Sequence, residues 1–455
     1  MKVLSAKTIA EMVDGRLNGP ESIMVSHIST DTRNMEKNSL FVAISGERFD
    51  GHDFAEQAVQ NGAVLVLALE GKNIPDTVPA IFVPDTIKAL GKLASAYRDM
   101  FDIPVIAVTG SVGKTSTKDM IASILSTHFK VHKTKGNFNN EIGVPLSVLE
   151  MDETHEVAVF ELGMRGFGEI SELSGIVKPD IAVITNVGIS HIERLGSRQN
   201  ILKAKLEILD GLKKNGTVIL NGDDELLSGL RGLLPYKTLF YGINEGQDIW
   251  ACDLSSQGEE GVNFTIQTQT SEMELFIPAP GIHNVYNALA GIAVAQTLNL
   301  SEAEIREGLM SFSSSRLRMN IEVKNGIKFI NDSYNAAPSS MKAALDVLCE
   351  IGKGKRKWAV LGDMLELGEW AEEAHKEIGR LVSMMSIDYL VGIGSLARWY
   401  IKGAEENKGN KTTPILFASI SDAKPYIKTL MQEGDVLLFK GSRRMNLDIL
   451  VQELL

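Results

Sequence analysis

The stretch VTGSVGKTSTK, Val108 to Lys118, decides how this chain is read. A phosphate-binding loop ordinarily carries four residues between its first glycine and its Gly-Lys pair. Here Gly110 is followed by only Ser111 and Val112 before Gly113 and Lys114. The flanking residues support the site all the same. IPVIAV is a strand candidate, and the residues from Lys114 through STKDMIASILSTHF have apolar positions at helical spacing, so the glycines fall where a strand turns into a helix. Such a turn aims free backbone N–H groups and the positive end of the helix at an anion, Lys114 adds a point charge, and the Thr115 hydroxyl can ligate magnesium. Gly110, Ser111, Gly113, Lys114, Thr115 and Ser116 are therefore candidate nucleotide contacts. The competing reading, a glycine turn with an exposed lysine, does not explain the Gly-Lys-Thr order.

Bulk properties narrow the classes. A chain of 455 residues exceeds one ordinary core and predicts two or three domains. A net charge of -12 excludes a generic nucleic-acid or anionic-membrane binder, so a phosphate site has to be local. Cys252 and Cys349 are the only cysteines and have no CxxC spacing, which argues against a disulfide framework or a cysteine zinc site. MKVLSAKTIAEMVDG meets polar and acidic residues too early for a signal peptide, and no apolar run is long enough to span a bilayer. These features predict a soluble cytoplasmic protein without membrane insertion.

Apolar runs alternate with amphipathic segments along the chain, an α/β pattern. Residues 1–102 contain the short strands SLFVAIS and AVLVLA and the helical DTIKALGKLASAYRDM. From 103 to 314 a second series runs through IPVIAVTG, EVAVFELG, DIAVITNVG and TVILNGDD, which suit a buried parallel sheet with ligands at its carboxyl edge. IWACDLSS, VNFTIQTQ and MELFIPAP then alternate polar and apolar residues and predict a small antiparallel patch. From 315 to 455 the runs KFINDS, KWAVLGDM, YLVGIG, ILFAS and DVLLFKGS predict a separate doubly wound domain.

The shortened TGSVGKTS resembles the ATP-binding loop of the Mur ligases, which build the peptide of bacterial cell-wall precursors. STDTR followed by LFVAISGERFDGHDF, then GNFNNEIGVPLSVL, FELG, TNVGISHIERLG, KAKLEIL, GIHNVYNALA, RLRM and INDSYNAAPSSM, continue the resemblance in the family's order over nearly the whole chain. It implies three domains: a small α/β uridine-nucleotide-binding domain over 1–102, a central P-loop ATPase-like parallel-sheet domain over 103–314, and a C-terminal Rossmann-like doubly wound ligase domain over 315–455. LGDMLELGEWAEEAHKEIG and GDVLLFKGSRRMN are similar to the member that adds D-alanyl-D-alanine to UDP-N-acetylmuramoyl-tripeptide. The Asp-Asn-Pro-Arg motif of the relative that adds a diamino acid to the UDP-dipeptide is absent. Ala337 departs from the family's Tyr-Asn-Ala-Asn-Pro, standing where the second asparagine belongs.

The resemblance implies an ATP-dependent amide ligase that activates a carboxylate as an acyl phosphate, with ATP and Mg2+ as cofactors and the two small molecules above as partners. Bringing a carboxylate against the γ-phosphoryl group leaves catalysis to cations and alignment. Lys114 is expected on the β and γ phosphates, with Thr115 and Glu161 holding magnesium. By resemblance His191 binds a second magnesium, and Lys205 is carried as a carbamate that turns a cation into an anionic metal ligand. On residue type alone His191 is a surface histidine and Lys205 a solvated charge. Asn287 is expected at the adenine, with Asn284 as a helix cap or a second adenine contact. Arg318 is expected on the ATP phosphates and Asp332 on the ribose, or both in interdomain ion pairs. Ser29, Arg33, His52, Asn139 and Asn140 are candidates for the UDP-sugar, although polar residues in such loops commonly serve the turn itself.

Three other readings compete: a P-loop switch protein, a folylpolyglutamate-synthase-like ligase and a non-catalytic scaffold. The first does not require a uridine-type first domain. The second lacks the STDTR and DGHDF region, and intact Lys114, Thr115, Glu161, His191 and Asp332 speak against the third.

Overall fold

The computed structural model describes residues 1–455 apart from 47, 269, 270, 316, 408 and 410. Arg316, the first residue of RLRM, thus lies outside the described residues. Contacts divide the chain into two compact units: Met1–Thr109, Phe129–Val183 and Leu206–Val218 form the first, and Gly110–His128, Ile184–Lys205 and Ile219–Leu455 the second. The boundaries expected at 102 and 314 both fall inside a unit.

The first unit opens with a five-stranded sheet in the order Arg16–Asn18, Ala80–Val83, Ala63–Leu69, Ser39–Val42, His27–Ser29. The Arg16–Asn18 edge is antiparallel and the other pairs are parallel. The helix Thr86–Arg98 starts because Asp85 accepts from the N–H groups of Ile87 and Lys88, both at 3.0 Å. Its far end is pinned by Arg98, buried at 3% exposure and donating to the carbonyls of Val177, Phe101 and Ile103. Those bonds satisfy a guanidinium that would otherwise be costly to bury. In the same unit Val105–Thr109 pairs in parallel with Val157–Glu161, which pairs in parallel with Val131–Lys133. The first two strands are buried at every position, the signature of a sheet covered on both faces.

In the second unit the alternating segments form the expected antiparallel patch: Ile249–Ser256 pairs with Val262–Thr268, and that with Glu272–Ile277. A six-stranded sheet follows in the order Asn320–Lys324, Ile327–Asn331, Val436–Lys440, Lys357–Gly362, Tyr389–Ile393, Thr413–Phe417. Only its first pair is antiparallel, and each of the five apolar runs read from the sequence is a strand. The helix Pro338–Ile351 begins with Pro at its first position, where the missing N–H is no loss. With Ala337 at the cap, Ser340 Oγ accepts from the Ala337 N–H at 3.0 Å and takes over part of the capping. Among the described residues no helix is long and apolar enough to cross a membrane.

Candidate active site

The loop Gly110–Gly113 leads into the helix Lys114–Leu125 in the second unit. Gly113 occupies the cap position at φ 84° and Gly110 sits at φ 154°, both in the region that favours glycine. A Cβ on Gly110 would fall 1.9 Å from Thr185 Oγ1, so no side chain fits there. The short loop is braced by the segment that follows Ile184. Thr185 Oγ1 and Asn186 Nδ2 donate to the Val112 carbonyl at 2.6 and 3.0 Å, and Asn186 Oδ1 accepts from the Val112 N–H at 3.1 Å. Ser111 N–H donates to the Asn186 carbonyl at 3.1 Å, and Ser111 Oγ accepts from Gly188 N–H at 2.9 Å. A loop two residues shorter than the common form is therefore held open as a cradle by its neighbour.

Lys114 Nζ reaches back to the Gly110 carbonyl at 2.9 Å, which lays the ammonium along the loop. Thr115 is buried and its hydroxyl accepts from Arg318 Nη2 at 2.9 Å, while Ser116 is half-buried beside it. Arg318 also lies over the Tyr334 ring, 4.3 Å from its centre. The structure thus brings Arg318 to the phosphate loop.

Two further bases feel Lys114. His191 adopts φ 64° and pairs through Nδ1 with Glu366 Oε2 at 2.7 Å. Burial first, then the charge of Lys114, pushes its imidazole below the ordinary range, against the pull of Glu366. Lys205 is 1% exposed, and burial followed by the charge of Lys114 holds its amine well below the usual lysine range. The solvated-lysine reading therefore fails: Lys205 faces inward from its helix and Lys203 does not.

Asn287 is buried on the helix Ile282–Thr297, where its Oδ1 accepts from Thr117 Oγ1 at 2.9 Å and its Nδ2 donates to Asn284 Oδ1 at 3.1 Å. Asn284 in turn donates to the Pro280 carbonyl at 2.8 Å and does not cap the helix, whose cap position is Gly281, without a side-chain cap. Asp332 is paired at 2.5 Å with Lys440, a partner within its own sheet, so its ion pair is not the interdomain one considered from sequence.

In the first unit Glu161 ends a buried strand at 2% exposure, and its Oε1 accepts from Asn139 Nδ2 at 2.7 Å. Asn139 also takes the Gly163 N–H on its carbonyl at 2.7 Å, and Asn140 Oδ1 accepts from Gly143 N–H at 2.9 Å. Asn139 thus orients Glu161, and Asn140 serves the start of a helix. Ser29 Oγ exchanges bonds with Asp31 backbone at 3.0 Å, and the exposed Arg33 holds the Asp31 carboxylate with two nitrogens. His52 is buried with both ring nitrogens engaged: Nδ1 meets Asp50 Oδ1 at 2.5 Å, and Nε2 accepts from Leu69 N–H at 2.9 Å. That arrangement uses its ring to fix the Asp50 loop and leaves no ring nitrogen for a ligand.

Three family models match the chain: "Mur ligase family, catalytic domain" over residues 24–98, "Mur ligase middle domain" over 108–295 and "Mur ligase, glutamate ligase domain" over 316–443. The UDP-N-acetylmuramoyl-tripeptide--D-alanyl-D-alanine ligase of Bacillus subtilis (strain 168) is 43% identical over 99% of this chain and 98% of its own. The chain belongs to the Mur ligase family.

Solved structures agree. A MurF crystal structure from Acinetobacter baumannii superposes with a TM-score of 0.91 at 33% identity, covering 100% of this chain and 99% of that one. MurF ligase from Thermotoga maritima, solved in complex with ADP, gives 0.83 at 29% identity over 94% and 97%. The residues of this Mur ligase suit a nucleotide: a loop that excludes a Cβ, a helix start capped by glycine, and Lys114 and Arg318 beside it. Among the described residues no three His, Cys, Asp or Glu side chains group as metal ligands. Thr115, next to the loop, offers a hydroxyl oxygen of the kind magnesium takes beside waters and phosphate oxygens.

Sequence reasoning missed several parts of this Mur ligase site. Thr185 and Asn186 brace the loop, and TNVG carried the signal as polar residues at a strand's carboxyl end. Glu366 had no such signal, because its partner lies 175 residues away.

Proposed function

We propose that this chain joins D-alanyl-D-alanine to UDP-N-acetylmuramoyl-tripeptide with ATP, as a cytoplasmic step of peptidoglycan precursor synthesis that involves no nucleic acid. The observation that carries the reading is the end-to-end match to the Bacillus subtilis ligase, 43% identical over 99% of the chain. The phosphate loop supports the nucleotide half of the reaction independently of any name.

A carboxylate oxygen of the tripeptide attacks the γ-phosphorus of ATP and ADP leaves, giving an acyl phosphate. The amine of D-alanyl-D-alanine then attacks the carbonyl carbon, and phosphate departs with the oxygen that came from the carboxylate. Lys114, already laid along the loop, neutralises the β and γ phosphates, and Arg318 adds a second cation at Thr115. Magnesium, when bound, offsets the phosphate charge that repels the incoming carboxylate. Thr115, Glu161, His191 and Lys205 are the residues we assign to hold it. Lys205 suits the carbamate role because its depressed amine favours the neutral form, which adds CO2 and loses a proton to become an anion. Asn287 and Asp332 are assigned to adenine and ribose, with Gly110, Ser111, Gly113 and Ser116 lining the phosphates. Ser29 and Arg33 are assigned to the UDP-sugar. Asn139 and Asn140 are assigned there too, Asn139 with its amide on the Glu161 carboxylate and Asn140 through the Gly143 N–H it holds, and His52 through the Asp50 loop. The domain limits that go with this reading are 1–102, 103–314 and 315–455.

The test is ADP release with UDP-N-acetylmuramoyl-tripeptide, D-alanyl-D-alanine, ATP and magnesium, with the nucleotide product weighed. Release that needs both acceptor and donor, and a product heavier by one dipeptide less water, is the expected result. Joining of a single amino acid to the UDP-dipeptide instead would overturn the substrate assignment and keep the family.

A further inference from the structure

We propose that Glu366 is a positioning residue that sets the tautomer and direction of the His191 ring, an inference that rests on the ligase reading above. The segment LGDMLELGEW turns at the carboxyl end of the strand Lys357–Gly362, and Glu366 stands in its middle at φ 63°. A glutamate rarely adopts that conformation, and His191 opposite it is also left-handed, at φ 64°. Two such residues in one hydrogen-bonded pair need the surrounding structure to hold them there.

The structure supplies that hold on both sides of Glu366. Met364 N–H donates to His375 Nε2 at 3.0 Å, and Leu365 N–H donates to Ser442 Oγ at 2.9 Å. The His375 ring is itself fixed by Nδ1–H donating to the Ala371 carbonyl, and the Ser442 N–H by the Asp363 carbonyl at 3.1 Å. Asp363 in turn accepts from the N–H groups of Leu396 and Ala397 at 3.0 and 2.8 Å. After Glu366, Leu367 is buried, and Gly368 at φ 53° lets the segment lie against Glu193: a Cβ there would meet Glu193 Cγ at 3.0 Å and its Cα at 3.4 Å. The turn that carries Glu366 therefore packs directly on the turn that carries His191.

Stability does not explain the pair. The Glu366 side chain is 51% exposed, and a polar contact that open to water contributes little whether or not the imidazole is charged. Orientation does. With Glu366 accepting from Nδ1–H, the neutral imidazole presents the Nε2 lone pair, which is the form that binds a metal or accepts a hydrogen bond. Removal of such outer partners costs about 10 to 100-fold in metal affinity or activity in metal sites.

The experiment uses the full chain with 15N-labelled histidine. His191 is assigned by difference from His191→Asn, and its tautomer is read by nitrogen chemical shifts without substrates. The wild type is expected to hold the Nδ1–H form, Glu366→Leu to lose that preference, and Glu366→Gln to retain it through its amide oxygen. In turnover, Glu366→Leu is expected to lower kcat by about 10 to 100-fold and raise the Mg2+ needed for half-maximal rate, with KM for the UDP-tripeptide within twofold. Glu366→Gln is expected to recover most of the loss. An unchanged tautomer in Glu366→Leu overturns the proposal, as does a changed tautomer with unchanged kcat, or a Gln variant no better than Leu. Wild-type turnover separates a failure of the ligase reading from a failure of this one, because the tautomer is read without catalysis.

Discussion

Lys205 and Lys440 are the same side chain in two settings of the second unit. Both are buried, at 1% and 3% exposure. Lys440 is answered by Asp332 at 2.5 Å and by the Asn335 carbonyl at 3.0 Å, so its charge is paired and its protons have acceptors. Among the described residues the amine of Lys205 makes no hydrogen bond or ion pair, and the nearby charge of Lys114 pushes further against protonation. A buried cation without a partner is costly, and the cost lowers the pKa of the group. The difference separates two uses of a buried lysine: Lys440 ties the carboxyl ends of two neighbouring strands together, and Lys205 keeps an amine whose proton is held less tightly than usual near Lys114.

The largest effect expected from breaking that contrast is at Lys440. Lys440→Met strands a buried carboxylate on Asp332 and should destabilise by ~3–5 kcal/mol in urea unfolding. The double variant with Asp332→Asn should regain most of it; a single variant as stable as wild type would sink the pairing account. Next comes Lys205→Met. Turnover should fall by more than about 100-fold with an unchanged or higher urea midpoint, because no partner is left behind. A collapse of stability in that variant would make Lys205 a structural cation like Lys440.

A buried base away from the phosphate loop calibrates the contrast. Burial, with the neighbouring His155 second, holds the His132 imidazole down to about 4 from 6.5. The unfolded chain therefore binds the extra proton between those values, and stability falls as pH drops from 6.5 towards 4. His132→Phe should flatten that slope by roughly 1–3 kcal/mol between pH 7 and pH 4.5, read as urea midpoints. Equal slopes in both proteins would show that His132 charges freely when folded. The smallest effect belongs to Arg33, whose ion pair with Asp31 is exposed: Arg33→Ala should leave the urea midpoint nearly unchanged. Its expected signature is a raised KM for the UDP-tripeptide, and an unchanged KM would remove Arg33 from the substrate side.

What was legible in the sequence was what depends on neighbours along the chain. The strands of the six-stranded sheet could be read because each is a short apolar run bounded by turn residues, and the Gly-Lys-Thr placement could be read at its strand-to-helix junction. The antiparallel patch followed from period-two alternation. Burial of Lys205 could not be read, since a lysine two residues from another on a helix looks solvated, and only tertiary packing turns it inward. His52 and Asn140 show the opposite limit. Their residue types suggested ligand contacts, and the fold uses both ring nitrogens of His52 and the side-chain oxygen of Asn140 for its own loops. Arg318 donates to Thr115 next to the loop, while the partner of Asp332 was hidden because Lys440 lies more than a hundred residues further on.

The central claim is that a carboxylate is activated by phosphoryl transfer at the loop Gly110–Gly113. Its most direct test is turnover with UDP-N-acetylmuramoyl-tripeptide labelled with 18O in the terminal carboxylate, together with ATP and D-alanyl-D-alanine, followed by mass analysis of the released phosphate. One 18O atom per phosphate, with one dipeptide joined for each ADP formed, is the result the account predicts. Unlabelled phosphate, or ADP formed at the same rate without D-alanyl-D-alanine, would contradict it.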